Sequence, residues 1–182
     1  MHISRDAPSI LTLPQIHKDE RGVFFRLFDK DDIPFSIAQV NSSCTYGRGT
    51  VRGLHLLKGQ HSEWKIIKVI EGSIFDLIVN LNANSPKYGS IFQYDLSIDS
   101  PALLIPPFHA HGFQCLTERA TVAYCVDKSY VKHADIGINP LSNQLMSYWP
   151  IIPQKVSSKD LSLPLLERQD YSEKCSICEI VT

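Results

Sequence analysis

Residues 64–70 read Trp-Lys-Ile-Ile-Lys-Val-Ile, Glu71-Gly72 follow, and after Ser73 residues 74–81 read Ile-Phe-Asp-Leu-Ile-Val-Asn-Leu. Two apolar, β-branched runs, each short for a helix, flank a turn signal. The arrangement predicts two strands joined as a hairpin. The same rhythm continues on both sides. Gly22 to Phe28 is aromatic-rich, and Ile91 to Leu96, Ala102 to Ile105, Gly112 to Leu116 and Ala120 to Val126 are short strand-like runs. Gly, Pro, Asn and Ser punctuate them, and no long helical period of apolar residues runs through the middle of the chain. Connections this short leave no room for helical crossovers, which excludes a parallel sheet. Many short antiparallel strands in one domain make a sandwich or barrel. The expected fold is therefore all-β, an antiparallel jelly-roll barrel whose mouth is a natural ligand cavity. A short helical or irregular segment is expected near Leu161 to Arg168, limited by Pro164.

Composition narrows the function classes. A chain of 182 residues fits a single domain with a sizeable core. We expect that core over about residues 19–165, with a tail at 166–182. A net charge of −1 argues against bulk electrostatic capture of nucleic acid. No apolar run approaches the roughly 18 residues of a membrane span. The start, Met-His-Ile-Ser-Arg-Asp, lacks the apolar stretch of a secretory signal, so a cytoplasmic protein with reduced cysteines is expected. The pair Cys175-Ser-Ile-Cys178 lacks the second pair or nearby histidines a structural zinc needs, and reads as tail without special chemistry. No metal or cofactor is expected.

Strand alternation sorts the polar residues onto faces. Lys65 shares a face with Ile67 and Val69, and Lys68 with Ile66 and Ile70; either lysine can point inward. A strand-end lysine ordinarily snorkels to water, and an inward one needs a partner or a task. His55 alternates with Val51, Gly53 and Leu57. A lone histidine on such a face is more often a hydrogen-bonded core residue than a catalyst. Tyr124 shares its face with Val122 and Val126, where a half-buried structural tyrosine is the default. Asp76 faces with Ile78 and Asn80, opposite Phe75, Leu77, Val79 and Leu81. Together these residues give a barrel lumen carrying a base, a cation, a phenol and a carboxylate.

An ordered set of motifs goes further. Asp19-Glu20-Arg21-Gly22-Val23-Phe24, Gln39-Val40-Asn41-Ser42 and Val51-Arg52-Gly53-Leu54-His55 come first. Lys65-Ile66-Ile67-Lys68-Val69, Phe75-Asp76-Leu77 and Ser85-Pro86-Lys87-Tyr88-Gly89 follow. Ile105-Pro106, Ala110-His111-Gly112-Phe113, Tyr124, Trp149-Pro150 and Ser157-Ser158-Lys159-Asp160 complete the series. In this order and spacing the chain resembles the dTDP-4-dehydrorhamnose 3,5-epimerases over about residues 19–165. The resemblance implies a metal-independent, cupin-type jelly roll that forms a homodimer with N-terminal strand exchange. It also implies a nucleotide-linked 4-keto-6-deoxyhexose as substrate. His55 then corresponds to the base, Asp160 to the carboxylate that orients it, Lys65 to the enolate-stabilising cation and Tyr124 to the proton donor on the opposite face. Arg21, Gln39, Asn41, Arg52, His111 and Lys159 correspond to nucleotide- and phosphate-binding positions, and Tyr130 to an aromatic position near the substrate. Arg26 and Asp135 stand at substrate-contacting positions where the family usually has glutamate, and Glu63 replaces a glutamine. The catalytic set matches while the binding positions have drifted, so CDP- or GDP-linked sugars and inversion at C3 or C5 alone stay open.

The chemistry explains the residue types. The 4-keto group acidifies the protons at C3 and C5, yet such a proton has a pKa of roughly 19 against about 6.5 for an ordinary histidine, an uphill transfer of roughly 17 kcal/mol in water. A base alone is too slow, so a desolvated cation must stabilise the forming enolate. A carboxylate fixes the histidine tautomer and stabilises imidazolium. A phenol, neutral and protonated at pH 7, suits the second proton transfer. Two other classes remain: a metal-dependent cupin using His55, His61, Glu63 and His111, and a non-catalytic sugar-binding barrel.

Overall fold

The computed structural model describes residues 3–11 and 16–166. Twelve strands are formed among them: β1 (Ser9–Ile10), β2 (Ile16–Asp19), β3 (Gly22–Phe25), β4 (Gln39–Tyr46), β5 (Val51–Leu57), β6 (Lys65–Glu71), β7 (Ser73–Asn80), β8 (Ile91–Ser97), β9 (Leu103–Ile105), β10 (His109–Cys115), β11 (Arg119–Val126) and β12 (Asp135–Gly137). Two one-turn helices, α1 (Asn143–Met146) and α2 (Ser158–Leu161), follow. One five-stranded sheet runs β1-β9-β6-β11-β4, the other β12-β5-β10-β7-β8, and β2 and β3 form a separate hairpin. Neighbouring strands are antiparallel throughout. The architecture is an all-β jelly roll of the cupin type.

The stretch 64–81 corrects one expectation. β6 and β7 are both strands, but they do not pair. β6 lies between β9 and β11 in the first sheet, and β7 lies between β10 and β8 in the second. The Glu71-Gly72 turn is a corner that carries the chain from one sheet to the other. Gly72 has φ +71°, and a Cβ there would sit 2.2 Å from the carbonyl oxygen of Arg119, so the corner admits only glycine. Each run is apolar on both of its faces, as strands buried on both sides are. A hairpin with one wet face would alternate.

Three apolar clusters hold the layers. Ile67, Val69, Ile74, Ile78, Leu103, Phe113 and Val122 pack between the two sheets. Leu54, Leu56, Leu77, Val79 and Leu81 form the outer face of the second sheet, covered by Ile138, Leu145 and Trp149 from the C-terminal segment. Leu11, Ile66, Ala102 and Leu104 do the same for the first sheet. Lys68 does not snorkel. It is 1% exposed, its Nζ donates to the carbonyls of Ile98 (2.6 Å) and Ser100, and it sits over the Phe25 ring. Sequence neighbours gave no sign of these carbonyls, which the β8–β9 turn delivers.

The helix also falls earlier than expected. Ser157 caps α2 by accepting the Asp160 N–H (3.0 Å), and the helix stops at Leu161, before Pro164. The chain beyond 166, including Cys175 and Cys178, lies outside the described residues. Among the described residues no helix is long and apolar enough to cross a membrane.

Candidate active site

A cavity of about 590 Å³ opens between the sheets, and both walls contribute to it. From the second sheet come Arg52, Gly53 and His55 on β5 and His111 on β10; His111 pairs directly with His55 across the strands. From the first sheet come Lys65 on β6, Val122 and Tyr124 on β11, and Ser43 and Thr45 on β4. Lys155, Ser157, Lys159 and Asp160, from the segment that enters α2, close one side. Thus His55 stands on one wall, Lys65 and Tyr124 on the other.

His55 Nε2 is 2.9 Å from Asp160 Oδ1. The second carboxylate oxygen of Asp160 accepts the N–H of Gly53 (3.3 Å). Gly53 has φ +104°, and a Cβ would fall 2.6 Å from the His111 carbonyl oxygen, so glycine is what lets β5 and β10 approach this closely. Burial pushes the Asp160 carboxyl up, but the bond and charge of His55, with the Gly53 and Ser157 donors, bring it below the usual carboxylate range. Asp160 is therefore an anion beside the imidazole, 7% exposed at its side chain. On the other side of the ring, His55 Nδ1 lies 3.4 Å from Asp135 Oδ1.

A second histidine–carboxylate pair sits in the same wall. His111 Nε2 is 2.7 Å from Asp76 Oδ2, and Asp76 is fully buried. The inward face of Asp76 is thus occupied by a partner on β10. Arg52 donates to Thr45 Oγ1 (2.8 Å), which aims the guanidinium along the cavity. Across the lumen, Lys65 Nζ is 3.5 Å from Glu63 Oε1, with both side chains largely buried. Burial pushes the Glu63 carboxyl up despite Lys65. Burial and then the Glu63 charge push the Tyr124 phenol above its ordinary value, so it stays protonated at neutral pH.

Family comparison gives the site its context. The family model described as dTDP-4-dehydrorhamnose 3,5-epimerase matches residues 7–168. The chain belongs to the dTDP-4-dehydrorhamnose 3,5-epimerase family. A Methanothermobacter thermautotrophicus enzyme of that name is 32% identical over 149 residues, covering 79% of this chain and 80% of the relative. A Bacillus anthracis dTDP-4-dehydrorhamnose 3,5-epimerase structure, with TDP and PPi bound, superposes with a TM-score of 0.80 at 32% identity, covering 88% of this chain and all of that one. A Streptomyces niveus dTDP-4-dehydrorhamnose 3-epimerase is 29% identical over 179 residues, covering 93% of this chain and 86% of the relative.

For this epimerase-family chain, the structure brings seven of the expected site residues to one cavity: His55, Lys65, Tyr124, Asp160, Arg52, His111 and Lys159. Six others lie off it. Gln39, Asn41, Tyr130 and Asp135 form a connected group at one end of the barrel: Tyr130 N–H donates to Gln39 Oε1 (3.0 Å), Gln39 Nε2 to Asn41 Oδ1 (2.7 Å), and Tyr130 OH to Asp135 Oδ2 (2.9 Å). Arg21 and Arg26 lie outside, paired with Asp19 and Asp29 on exposed surface. Sequence reading missed Ser43, Thr45 and Lys155. Alternation on β4 links Asn41, Ser43 and Thr45 to one face and could have found the first two; nothing in the pattern marks Lys155. The donors weighed for a metal centre do not converge: His61 packs edge-on against His133, Glu63 pairs with Lys65 and His111 with Asp76. Among the described residues no group of three or more His, Cys, Asp or Glu is placed to hold a metal.

Proposed function

We propose that this chain epimerises a nucleotide-linked 4-keto-6-deoxyhexose in deoxysugar biosynthesis, inverting C3, C5 or both. The observation that carries the reading is the opposition of His55, backed by Asp160, to Lys65 and Tyr124 across one lumen. His55 removes the proton beside the ketone. Asp160 holds the ring and stabilises the imidazolium. Lys65 meets the negative oxygen of the enolate. Tyr124 returns a proton from the far wall, which is the geometry inversion requires. Arg52, His111 and Lys159 take the diphosphate, whose binding positions the reacting carbon. No step needs a metal or an organic cofactor. The dTDP-linked sugars named for the relatives are the first substrates to test.

The enzyme works in the cytoplasm as a homodimer. The β2–β3 hairpin pairs with no other strand among the described residues, and it leaves Phe24 73% exposed. A second copy covers it, and Arg21 and Arg26 then reach the neighbour's cavity. The name of the S. niveus relative supports inversion at C3 alone as a second reading. Incubation with dTDP-, CDP- and GDP-linked 4-keto-6-deoxyhexoses in D2O, followed by NMR, tests both: deuterium appears at C3, at C5 or at both. Folded protein that leaves every sugar in the panel unlabelled refutes the proposal.

A further inference from the structure

One His55 nitrogen is bonded and the other is buried. Nε2 is held by Asp160, and Nδ1 is buried against Asp135 without a hydrogen-bond partner. A base must present a lone pair to its substrate, so one carboxylate has to withdraw before His55 can act. The two carboxylates are anchored differently. Asp160 is fixed by the Gly53 N–H and by the capped turn of α2, all of it built into the scaffold. Asp135 is held at Oδ2 by Lys159 Nζ (2.6 Å) and Tyr130 OH (2.9 Å), both on exposed residues. The Lys159 side chain is 60% exposed and lines the cavity.

Register places this cluster one row beyond the reacting groups. Along β4, Asn41 pairs with Tyr124 and Gln39 with Val126; along β5, Gly137 pairs with His55 and Asp135 with Leu57. Lys159, Asp135, Tyr130, Gln39 and Asn41 therefore make a hydrogen-bonded strap from one sheet to the other across the barrel end. An anion entering the cavity competes with Asp135 for Lys159.

We propose that Asp135 is a positioning residue that parks His55: in the empty site it occupies the Nδ1 side, and a bound nucleoside diphosphate releases it by drawing Lys159 away. The carbon-bound proton then passes to Nδ1 while Nε2–H stays on Asp160. This rests on the reading of His55 as the base. Other charged or titratable groups face the ring from its neighbours: Lys159 on α2, His111 on β10, Arg52 on β5 itself, and Lys65 and Tyr124 across the lumen. Among the described residues, Asp135 and Asp160 are the ones that contact its nitrogens. Burial pushes the Asp135 carboxyl up, but Lys159, Tyr130 and His55 bring it below the usual range, so it is an anion at neutral pH.

A carboxylate beside an imidazole favours the protonated ring, and kcat/KM reports the free enzyme whereas kcat reports the complex. Asp135→Asn should therefore move the acid limb of kcat/KM to lower pH while the acid limb of kcat stays in place. Asp135→Glu should return it. An unmoved kcat/KM limb, or an equal movement in kcat, overturns the proposal. A variant-free check is 15N NMR of histidine-labelled wild-type protein: thymidine diphosphate should shift the His55 Nδ1 resonance. Saturation with the diphosphate and no such shift also overturns it. His55→Ala separates the two levels, since exchange that survives there defeats the base assignment itself, whatever Asp135 does.

Discussion

Replacing Asp160 by asparagine takes one charge from beside His55, the proposed base, while keeping the side chain's shape. The asparagine carbonyl can still accept the Gly53 N–H, so β5 and α2 should remain docked. The charge sits 2.9 Å from His55 Nε2. At that distance an imidazolium–carboxylate attraction is about 6 kcal/mol with an effective dielectric of about 20. That is a ceiling, because the His55 side chain is 29% exposed and water screens part of the field. Hydrogen bonds to charged groups contribute about 1.5–3 kcal/mol net. Taking about 3 kcal/mol, the transition state that forms imidazolium should rise enough to slow proton abstraction roughly 150-fold. The assay is solvent-deuterium incorporation into the 4-keto sugar nucleotide at neutral pD, followed by NMR, with thermal melting to confirm the fold. A loss under about five-fold in a variant that melts like wild type would refute the argument that Asp160 stabilises the charged base.

Tyr124→Phe should keep deuterium wash-in on the His55 side and lose inverted product by at least about 100-fold, as removal of a general acid does; chiral analysis of the recovered sugar reads this out. Lys68→Met should lower stability by about 2 kcal/mol, because it strands the Ile98 and Ser100 carbonyls in a buried place; urea unfolding measures it. Asp135 and Asp160 are both held below the usual carboxylate range. Their contribution to stability is therefore complete above the unfolded value of about 3.9 and drains away as pH falls through the depressed folded values. Melting temperatures of wild type should drop more steeply between pH 5 and pH 3 than those of the Asp135→Asn, Asp160→Asn double variant, and parallel curves would contradict the sign.

Strands were legible because each pairs β-branched runs with turn residues, and seven of the runs read from sequence coincide with strands to within a few residues. Which strands pair was not legible at the central corner. Glu71-Gly72 has the same local chemistry whether it closes a hairpin or turns a corner, and only the partners β9, β11, β8 and β10 decide it. Tyr124 could be placed by alternation on the face of Val122, which lines the cavity with it. Lys65 and Lys68 stayed equivalent on a strand apolar on both faces, and β5 breaks period 2 with a register shift between Arg52 and His55. Lys68 defeated the same logic, since its partners are carbonyls from a turn 30 residues away. Asp135 illustrates the remaining gap. The resemblance marks it as a substrate contact, but its contacts with Lys159, 24 residues on, and with a ring on the neighbouring strand come only from the fold.

The segment from Ile138 to Leu166 does two jobs at once. Its apolar side chains roof the second sheet, and its last turn delivers Asp160 and Lys159 to the lumen. It is moored to the sheets by few backbone bonds, among them Val51 N–H to Lys155 O, Gln154 N–H to Gly49 O and Ile138 N–H to Leu54 O. Peripheral segments held this way open at lower free energy than the sheets beneath them. Asp160 and Lys159 thereby depend on a roof laid over the sheets: in rising denaturant epimerisation should fall silent while the barrel still stands.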